Sequence, residues 1–242
     1  MKTIGLLGGM SWESTADYYK AINEGVKEAL GGLHSAQIVL YSMDFEPIEQ
    51  LQHAGDWAAL ADRLSQAARC VQSAGADFLV LCTNTMHRVA PEIEQATDIP
   101  LLHIADATAR VLVADGVRKV GLLGTAFTME QDFYKERLIR NHGLEVIVPG
   151  ATDRKLIHDV IYRELCLGRI VDDSRRRYLH IIDKLAREGA DAVILGCTEI
   201  GMLVKQTDTA VKLYDTTAIH ALSVVEAALQ VSPARNHAGK FS

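Results

Sequence analysis

Ile4-Gly5-Leu6-Leu7-Gly8 and Gly75-Ala76-Asp77-Phe78-Leu79-Val80-Leu81 each have a second copy in this chain of 242 residues. The first stretch returns as Val120-Gly121-Leu122-Leu123-Gly124, and the second as Gly189-Ala190-Asp191-Ala192-Val193-Ile194-Leu195, at offsets of 116 and 114 residues. Apolar strands can resemble one another by chance, but here the glycines and the Gly-Ala-Asp lead-in match as well. The repeat therefore predicts a duplicated lobe.

Each copy alternates continuous apolar runs, typical of strands buried on both faces of a parallel sheet, with helical patterns. Ser11 is a candidate N-cap, because apolar side chains recur every four residues after it. We predict strands near 3–7, 37–42, 78–82, 101–104, 119–123, 145–148, 192–196 and 211–214. We predict helices after Ser11, over 57–71, and near 128–142, 154–166, 173–188 and 216–229.

The predicted fold class is α/β, with two pseudo-symmetric lobes, each a parallel four-stranded sheet flanked by helices, and an active site in the cleft between them. Residues 1–115 and 215–230 are assigned to the first lobe, because the last helix is expected to pack back on it. Residues 116–214 form the second lobe. Residues 231–242 lack apolar periodicity and are expected to be a disordered tail.

The overall charge excludes several classes of partner. With 25 basic and 31 acidic residues, the formal charge of −6 gives no electrostatic reason to expect nucleic acid or an anionic membrane. No apolar stretch approaches the roughly 18 residues of a membrane span, and the N-terminus does not resemble a signal peptide. We expect a cytoplasmic protein with a small-molecule ligand.

Four βα loops would meet at the cleft: 8–15, 82–87, 124–128 and 196–201. Their glycines match neither the dinucleotide pattern G-x-G-x-x-G nor the phosphate-loop pattern G-x-x-x-x-G-K-[ST]. Glycine in such loops permits either the close approach of a small anion to the backbone or simply a tight turn. Both interpretations stay open for each loop.

The four cysteines are not a disulfide framework and contain no C-x-x-C pair, so each is either inert or reactive. When the two copies are aligned, Cys197 matches Thr83 and not Cys82. Neighbouring residues of a strand point to opposite faces, so the side chain of Cys82 should point away from the direction that Cys197 takes. Cys82 is therefore expected in the core, as are Cys70 and Cys166, which fall in predicted helices. Cys197 follows a strand, where a helix N-terminus would lower its pKa, and is a candidate base or nucleophile; the alternative is a buried apolar side chain.

One acid–base group on each lobe suits the inversion of a stereocentre. One group takes a proton from Cα, and the other returns a proton to the opposite face. The substrate carboxylate would be held by donors of Thr83, Asn84, Thr85 and Thr198.

Over about residues 1–230 the sequence resembles the cofactor-independent aspartate/glutamate racemases. The resemblance lies in the opening IGLLGGMS, Thr83-Asn84-Thr85-Met86-His87 where the family usually has Cys-Asn-Thr-x-His, the GT-x-x-T loop at 124–128, and Gly196-Cys197-Thr198-Glu199. It implies an isomerase that is a homodimer, with no cofactor and no metal, whose catalytic positions are Cys197 and Thr83. The implied substrate contacts are Met10, Thr83, Asn84, Thr85, Thr125, Thr128, Thr198 and Glu199.

Two departures from the family pattern bear on the activity. Thr83 replaces a cysteine, and a hydroxyl donates a proton more readily than it takes one up, so Cys197 is expected to act on the L-enantiomer and Thr83 only as the opposite proton donor. Acid-specific relatives hold the distal carboxylate with an arginine and a lysine, but residues 46–53 contain no arginine and Leu167 falls at the lysine position. Gln52 is expected to reach the substrate, and Arg163 lies nearby in sequence. We therefore expect L-aspartate and L-glutamate as substrates, or a broader range that includes neutral amino acids such as homoserine.

Three alternatives stay open. The nearest is a one-cysteine decarboxylase or isomerase of the arylmalonate type, in which Cys197 protonates an enolate. A hydrolase with a cysteine nucleophile would need a base beside the thiol, which only Glu199 offers. The third is a small-ligand binding module without catalysis. Among the histidines, His87 is expected to support its loop, and none has metal-ligand spacing.

Overall fold

The computed structural model describes residues 1–230, so the predicted tail at 231–242 lies outside the described residues. Two parallel sheets of four strands form the centre of the structure. The first contains β1 (Ile4–Gly8), β2 (Ile38–Ser42), β3 (Phe78–Leu81) and β4 (Leu101–Leu102) in the order β2-β1-β3-β4. The second contains β5 (Lys119–Gly124), β6 (Glu145–Ile147), β7 (Ala192–Gly196) and β8 (Lys212–Asp215) in the order β6-β5-β7-β8. The identical strand order confirms the predicted fold class.

Helices cover both faces of each sheet. They are α1 (Trp12–Leu30), α2 (Phe45–Ala54), α3 (Trp57–Ser73), α4 (Ala90–Gln95), α5 (Ile104–Ala114), α6 (Ala126–Glu130), α7 (Asp132–His142), α8 (Ala151–Arg163), α9 (Asp172–Arg187), α10 (Ile200–Leu203) and α11 (Thr216–Leu229). The single helix predicted near 128–142 is divided into α6 and α7. No helix within residues 1–230 has the length and apolar character needed to cross a membrane.

The start of α1 is set locally, as the sequence predicts. The Ser11 hydroxyl accepts a 3.3 Å hydrogen bond from the Ser14 N–H, which satisfies one of the free donors at the helix N-terminus. Tyr18, Ile22 and Val26 are fully buried at helical spacing, whereas Leu30, the last residue of the helix, is 46% exposed. The helix therefore lies against the sheet over most of its length.

The loop that leads into α1 depends on one glycine. Gly9 has a φ of +88°, and a side chain there would collide with the backbone of Met43, which follows β2. The positive φ of Gly9 fits a tight turn, and this turn places Met10 and Ser11 at the carboxyl end of β1.

The two lobes exchange their outer helices. One face of the first sheet is covered by α1 together with α11, whose Ala221, Val224 and Ala228 pack into the same core as Leu6. The corresponding face of the second sheet is covered by α7 together with α5, whose Ile104 packs into that core. The division into 1–115 with 215–230 and 116–214 stays a prediction; the packing shows that α5 contributes to the core of the second sheet.

Candidate active site

The four predicted loops surround one cavity of about 20 Å³, room for about one water molecule. Most of the predicted site residues line it: Met10, Gln52, Thr83, Thr85, Thr125, Cys197 and Glu199. Thr83 and Cys197 follow β3 and β7, the corresponding strands of the two sheets, and each is 8% exposed. The cleft thus brings one hydroxyl and one thiol, from equivalent positions of the repeat, to the same enclosed space.

Three predicted site residues lie immediately behind the cavity lining. The Asn84 side-chain nitrogen donates to the Thr216 hydroxyl at 3.0 Å, and the Thr198 hydroxyl donates to Glu199 Oε2 at 2.8 Å. Thr128 is fully buried, and its hydroxyl lies 3.2 Å from that of Thr125 and 3.5 Å from that of Thr85. These residues fix the orientation of their neighbours that face the cavity.

The thiol of Cys197 is paired with a carboxylate. Its Sγ donates to Oε2 of Glu199 at 2.9 Å. Burial and the negative charge of Glu199 raise the pKa of Cys197 well above the ordinary value of a thiol. The expected lowering by a helix N-terminus was wrong, because α10 spans only four residues and the nearby carboxylate acts in the opposite direction.

Glu199 also joins the two lobes. Its Oε1 accepts a 2.7 Å hydrogen bond from the hydroxyl of Ser11, 188 residues earlier in the chain. Ser11 was predicted only as a helix cap, and its position directly before α1, in one of the four cleft loops, was the signal for a second role. The carboxylate is therefore held from both sides of the cleft.

A second link crosses the cleft between threonines. The hydroxyl oxygens of Thr85 and Thr125 lie 3.0 Å apart, and both residues are buried. Thr125 is also the N-cap of α6, because its hydroxyl accepts from the Thr128 N–H at 3.3 Å. Hydroxyls from both lobes therefore meet at the cavity wall, where they could contact a carboxylate.

The loop that carries Thr83 is held by His87. The ring nitrogen Nδ1 of His87 lies 2.7 Å from the carbonyl oxygen of Thr83. Because a carbonyl only accepts, the ring must donate. The prediction that His87 supports this loop is confirmed.

The rest of the cavity wall was not predicted from sequence. It consists of Phe45, Met86, Ile161, Tyr162 and Cys166. Cys166 was expected in the core of a helix; it lies instead in the short 3-10 helix Leu165–Leu167, because α8 ends at Arg163, and it lines the same cavity as Cys197. Arg163 and Leu167 are exposed and do not line the cavity.

Two amide oxygens at the site have no hydrogen-bond partner within the described structure, Oε1 of Gln52 and Oδ1 of Asn84. Both side chains are 2% exposed, and Gln52 lines the cavity. A buried acceptor without a donor is costly, so Oε1 of Gln52, at the cavity wall, favours a ligand that carries N–H or O–H groups.

The charged side chain on the cavity wall is the carboxylate of Glu199. None of the lining residues of the cavity is a lysine or an arginine. Burial is the main cause that raises the pKa of Cys166, and the charges of Glu199, Glu13 and Glu49 raise it further. Within residues 1–230, no group of three histidine, cysteine or carboxylate side chains is placed to hold a metal ion. The charge of the wall favours an ammonium group over a second carboxylate.

Comparison with known proteins relates this geometry to one family. A family model described as Asp/Glu/Hydantoin racemase matches residues 7–224. The broad specificity amino-acid racemase of Bacillus subtilis (strain 168) is 22% identical over 227 residues, which cover 92% of this chain and 96% of that protein. A crystal structure from Yersinia pestis, assigned to the Asp/Glu racemases, is 56% identical with a TM-score of 0.89 and covers 95% of this chain and 100% of that one. The aspartate racemase homologue of Pyrococcus horikoshii OT3 is 34% identical with a TM-score of 0.81, at the same coverage.

Proposed function

The chain belongs to the Asp/Glu/hydantoin racemase family, and from this premise we propose that it is a cofactor-independent amino-acid racemase that inverts Cα by proton transfer. The observation that carries the proposal is the placement of Cys197 and Thr83, equivalent in the two lobes, on the wall of one enclosed cavity. Two groups from opposite lobes can exchange protons with opposite faces of the Cα of a substrate that is held between them.

In the proposed reaction, Cys197 acts on the L-face and Thr83 on the other. The Cys197 thiolate takes the Cα proton, the electron pair stays on Cα as a carbanion conjugated with the carboxylate, and the Thr83 hydroxyl returns a proton from the opposite side. Solvent then reprotonates the Thr83 oxygen, and Cys197 gives up its proton before the next turnover. Hydroxyls of Thr85 and Thr125 would hold the carboxylate while charge develops on it.

Glu199 supports the formation of the thiolate. Its Oε2 already accepts the hydrogen bond of the Cys197 thiol and can accept the proton itself. Without substrate, the carboxylate keeps the pKa of Cys197 high. The α-ammonium of a bound amino acid would bring a positive charge beside both groups, which favours their charged forms.

The two directions of the reaction are constrained by thermodynamics. Enantiomers have equal free energies, so a true racemase has equal kcat/KM in both directions. If proton transfer at Thr83 is slow in both directions, the carbanion formed from an L-amino acid is reprotonated more often from the Cys197 side. Exchange of the α-hydrogen of the L-amino acid is then faster than its inversion. We propose this asymmetry because the equivalent positions of the two lobes on the cavity wall carry a thiol, Cys197, and a hydroxyl, Thr83.

For the substrates, we propose L-aspartate and L-glutamate or a broader range that includes neutral amino acids such as homoserine. The broader range is favoured by the absence of a cation among the lining residues and by the unpartnered Oε1 of Gln52, which suits a side chain that donates a hydrogen bond. No lining residue carries the positive charge that would form an ion pair with a distal carboxylate.

A time course in D₂O tests the proposal. Proton NMR follows loss of the α-hydrogen, and circular dichroism follows inversion, over a panel of L- and D-amino acids. We expect L-side exchange to exceed inversion, Thr83→Ala to abolish inversion while exchange persists, and Cys197→Ser to abolish both. Equal rates of deuterium uptake and inversion from the start would contradict the asymmetry.

The second candidate function is a one-cysteine decarboxylase or isomerase of the arylmalonate type, which the threonine at position 83 favours. It would release CO₂ from malonates and leave the α-hydrogen of amino acids in place, so the same preparation distinguishes the two reactions.

We also propose a homodimer in the cytoplasm. Exposed aromatic and aliphatic side chains on α1 and β2, namely Trp12, Tyr19, Leu40 and Tyr41, give such an interface apolar surface. Sedimentation equilibrium at micromolar concentration would show twice the chain mass, and a Trp12→Glu variant should shift the protein toward the monomer.

A further inference from the structure

His87 is fixed from both sides of its ring. Nδ1 donates to the carbonyl oxygen of Thr83 at 2.7 Å, and Nε2 accepts from the N–H of Ile104 at 3.2 Å. Because a carbonyl only accepts and an amide N–H only donates, both contacts require the neutral ring with its proton on Nδ1. A protonated ring would present a second donor to the Ile104 N–H.

The surroundings of His87 keep its ring neutral and immobile. It is 2% exposed, and its ring centroid lies 4.3 Å from that of His103 and 6.2 Å from that of His220. Burial, together with these two rings, lowers the pKa of His87 well below its ordinary value. His220 is itself fixed, since its Nε2 donates to the Leu102 carbonyl and its Nδ1 accepts from the Tyr18 hydroxyl, both at 2.8 Å.

The contact with Ile104 connects Thr83 to the core of the second sheet. Ile104 is the first residue of α5, and α5 packs in the core of the second sheet with Val120 and Leu122. The second sheet also carries Cys197, at the end of β7. The His87 side chain therefore links the backbone of Thr83 to the core of the sheet that carries Cys197.

We propose that His87 is a positioning residue that sets the place of Thr83 across the cavity from Cys197, and so controls the inversion step without touching the substrate. This rests on the proposed function, in which Thr83 returns the proton and Cys197 removes it. Loss of the His87 contact would displace Thr83 relative to Cys197 while leaving the pair of Cys197 and Glu199 intact. Inversion should then fall, and L-side exchange should not.

Two substitutions separate the contacts of the ring. The amide nitrogen of His87→Asn occupies the place of Nδ1 and keeps the donor to Thr83, whereas His87→Gln places an acceptor near Nε2 and loses that donor. His34→Asn is the control, because His34 is exposed and lies outside this cluster of rings.

The experiment measures deuterium uptake and inversion of one L-amino acid in parallel for each variant. We expect His87→Gln to lower the ratio of inversion to exchange about tenfold, the usual size of one lost buried hydrogen bond at a reacting group. His87→Asn should change the ratio by less than about threefold, and His34→Asn should leave it unchanged. In the wild-type protein, ¹⁵N NMR of the imidazoles should show His87 protonated on Nδ1 alone between pH 6 and 8, a readout that does not depend on the variants folding.

The results for the variants and the wild type test the role of His87 separately from the proposed function. A His87→Gln variant that loses exchange and inversion in parallel, or keeps the wild-type ratio, overturns the positioning role, as does a ring protonated on Nε2. A wild-type protein with neither exchange nor inversion on the full panel overturns the proposed function and this inference with it, whereas an active wild type with unresponsive variants overturns the role of His87 alone.

Discussion

The Cys197 thiol donates a hydrogen bond to Glu199 Oε2 across 2.9 Å, and the carboxylate contributes to the raised pKa of the thiol. Removing the negative charge should therefore lower this pKa. We expect Glu199→Gln to move the pH profile of Cys197 alkylation by iodoacetamide to lower pH by about one unit. The assay is made in a Cys70→Ser background, because Cys70 is exposed and the prediction that it lies in the core was wrong. Mass spectrometry identifies the modified peptide. Glu13→Gln, which removes a carboxylate that acts on Cys166, is the control; an unmoved Glu199→Gln profile would assign the raised pKa to burial.

Ser11 should contribute to both stability and chemistry, because its hydroxyl caps α1 and also donates to Glu199. Ser11→Ala is expected to lower the free energy of unfolding by about 1 kcal/mol and Tm by about 2–4 °C, and to reduce L-side exchange. Ser65→Ala removes a buried hydroxyl that donates to the Glu92 carbonyl away from the cavity. It should cost some stability and leave exchange unchanged. Equal exchange rates in the two variants would argue against a role of Ser11 in holding Glu199.

Substrate preference should respond to charge at position 52. Gln52 is buried on the cavity wall, whereas Gln50 is exposed on the same helix. A Gln52→Lys variant would supply the missing cation, and we expect the rate of deuterium uptake by L-aspartate, relative to a neutral amino acid, to rise about tenfold. Gln50→Lys should not change this ratio. If Gln52→Lys leaves the ratio unchanged, Gln52 does not face the substrate side chain.

The buried histidines should make the protein sensitive to acid. Burial lowers the pKa of His103 to about 2 and of His220 to about 4, and the pKa of His87 is lowered as well. In the unfolded chain the histidines have ordinary pKa values near 6.5, so below that pH they bind protons that they do not bind in the folded state. The free energy of unfolding therefore falls as the pH falls below about 6.5. Each histidine contributes up to about 1.4 kcal/mol per pH unit.

Urea unfolding between pH 7.5 and 5 measures this loss. His103→Asn should reduce the dependence on pH, whereas a substitution at exposed His34 should not. Stability that is constant over this interval would mean that the three rings can be protonated in the folded state.

The repeat made most of the fold predictable. Every predicted strand lies within a few residues of an observed one, because the apolar runs of the two copies support each other. The same alignment identified Thr83 and Cys197 as equivalent positions of the two copies. The helices α2, α4, α5 and α10 lie outside the predicted ranges. In α5, alanines and a threonine face the interior, so Ile104-Ala105-Asp106-Ala107-Thr108 shows little apolar periodicity.

The chemistry of the site was less predictable than its place. Contacts between residues far apart in the chain, such as Ser11 with Glu199, leave no local pattern. Cys166 lines the cavity because α8 ends at Arg163, three residues before the end of the helix predicted near 154–166. The pKa of Cys197 depends on the carboxylate of Glu199, two residues later in the sequence. Only the folded loop determines that this carboxylate points toward the thiol.

The reciprocal placement of α5 and α11 has a consequence for synthesis on the ribosome. The face of the first sheet that packs against α1 keeps part of its apolar surface open until residues 216–229 have emerged. A nascent chain of the first 115 residues also carries α5, whose partners in the second sheet do not yet exist. Neither half can complete its interior before nearly the whole chain is made, so the two halves of this duplicated protein are expected to fold as one cooperative unit.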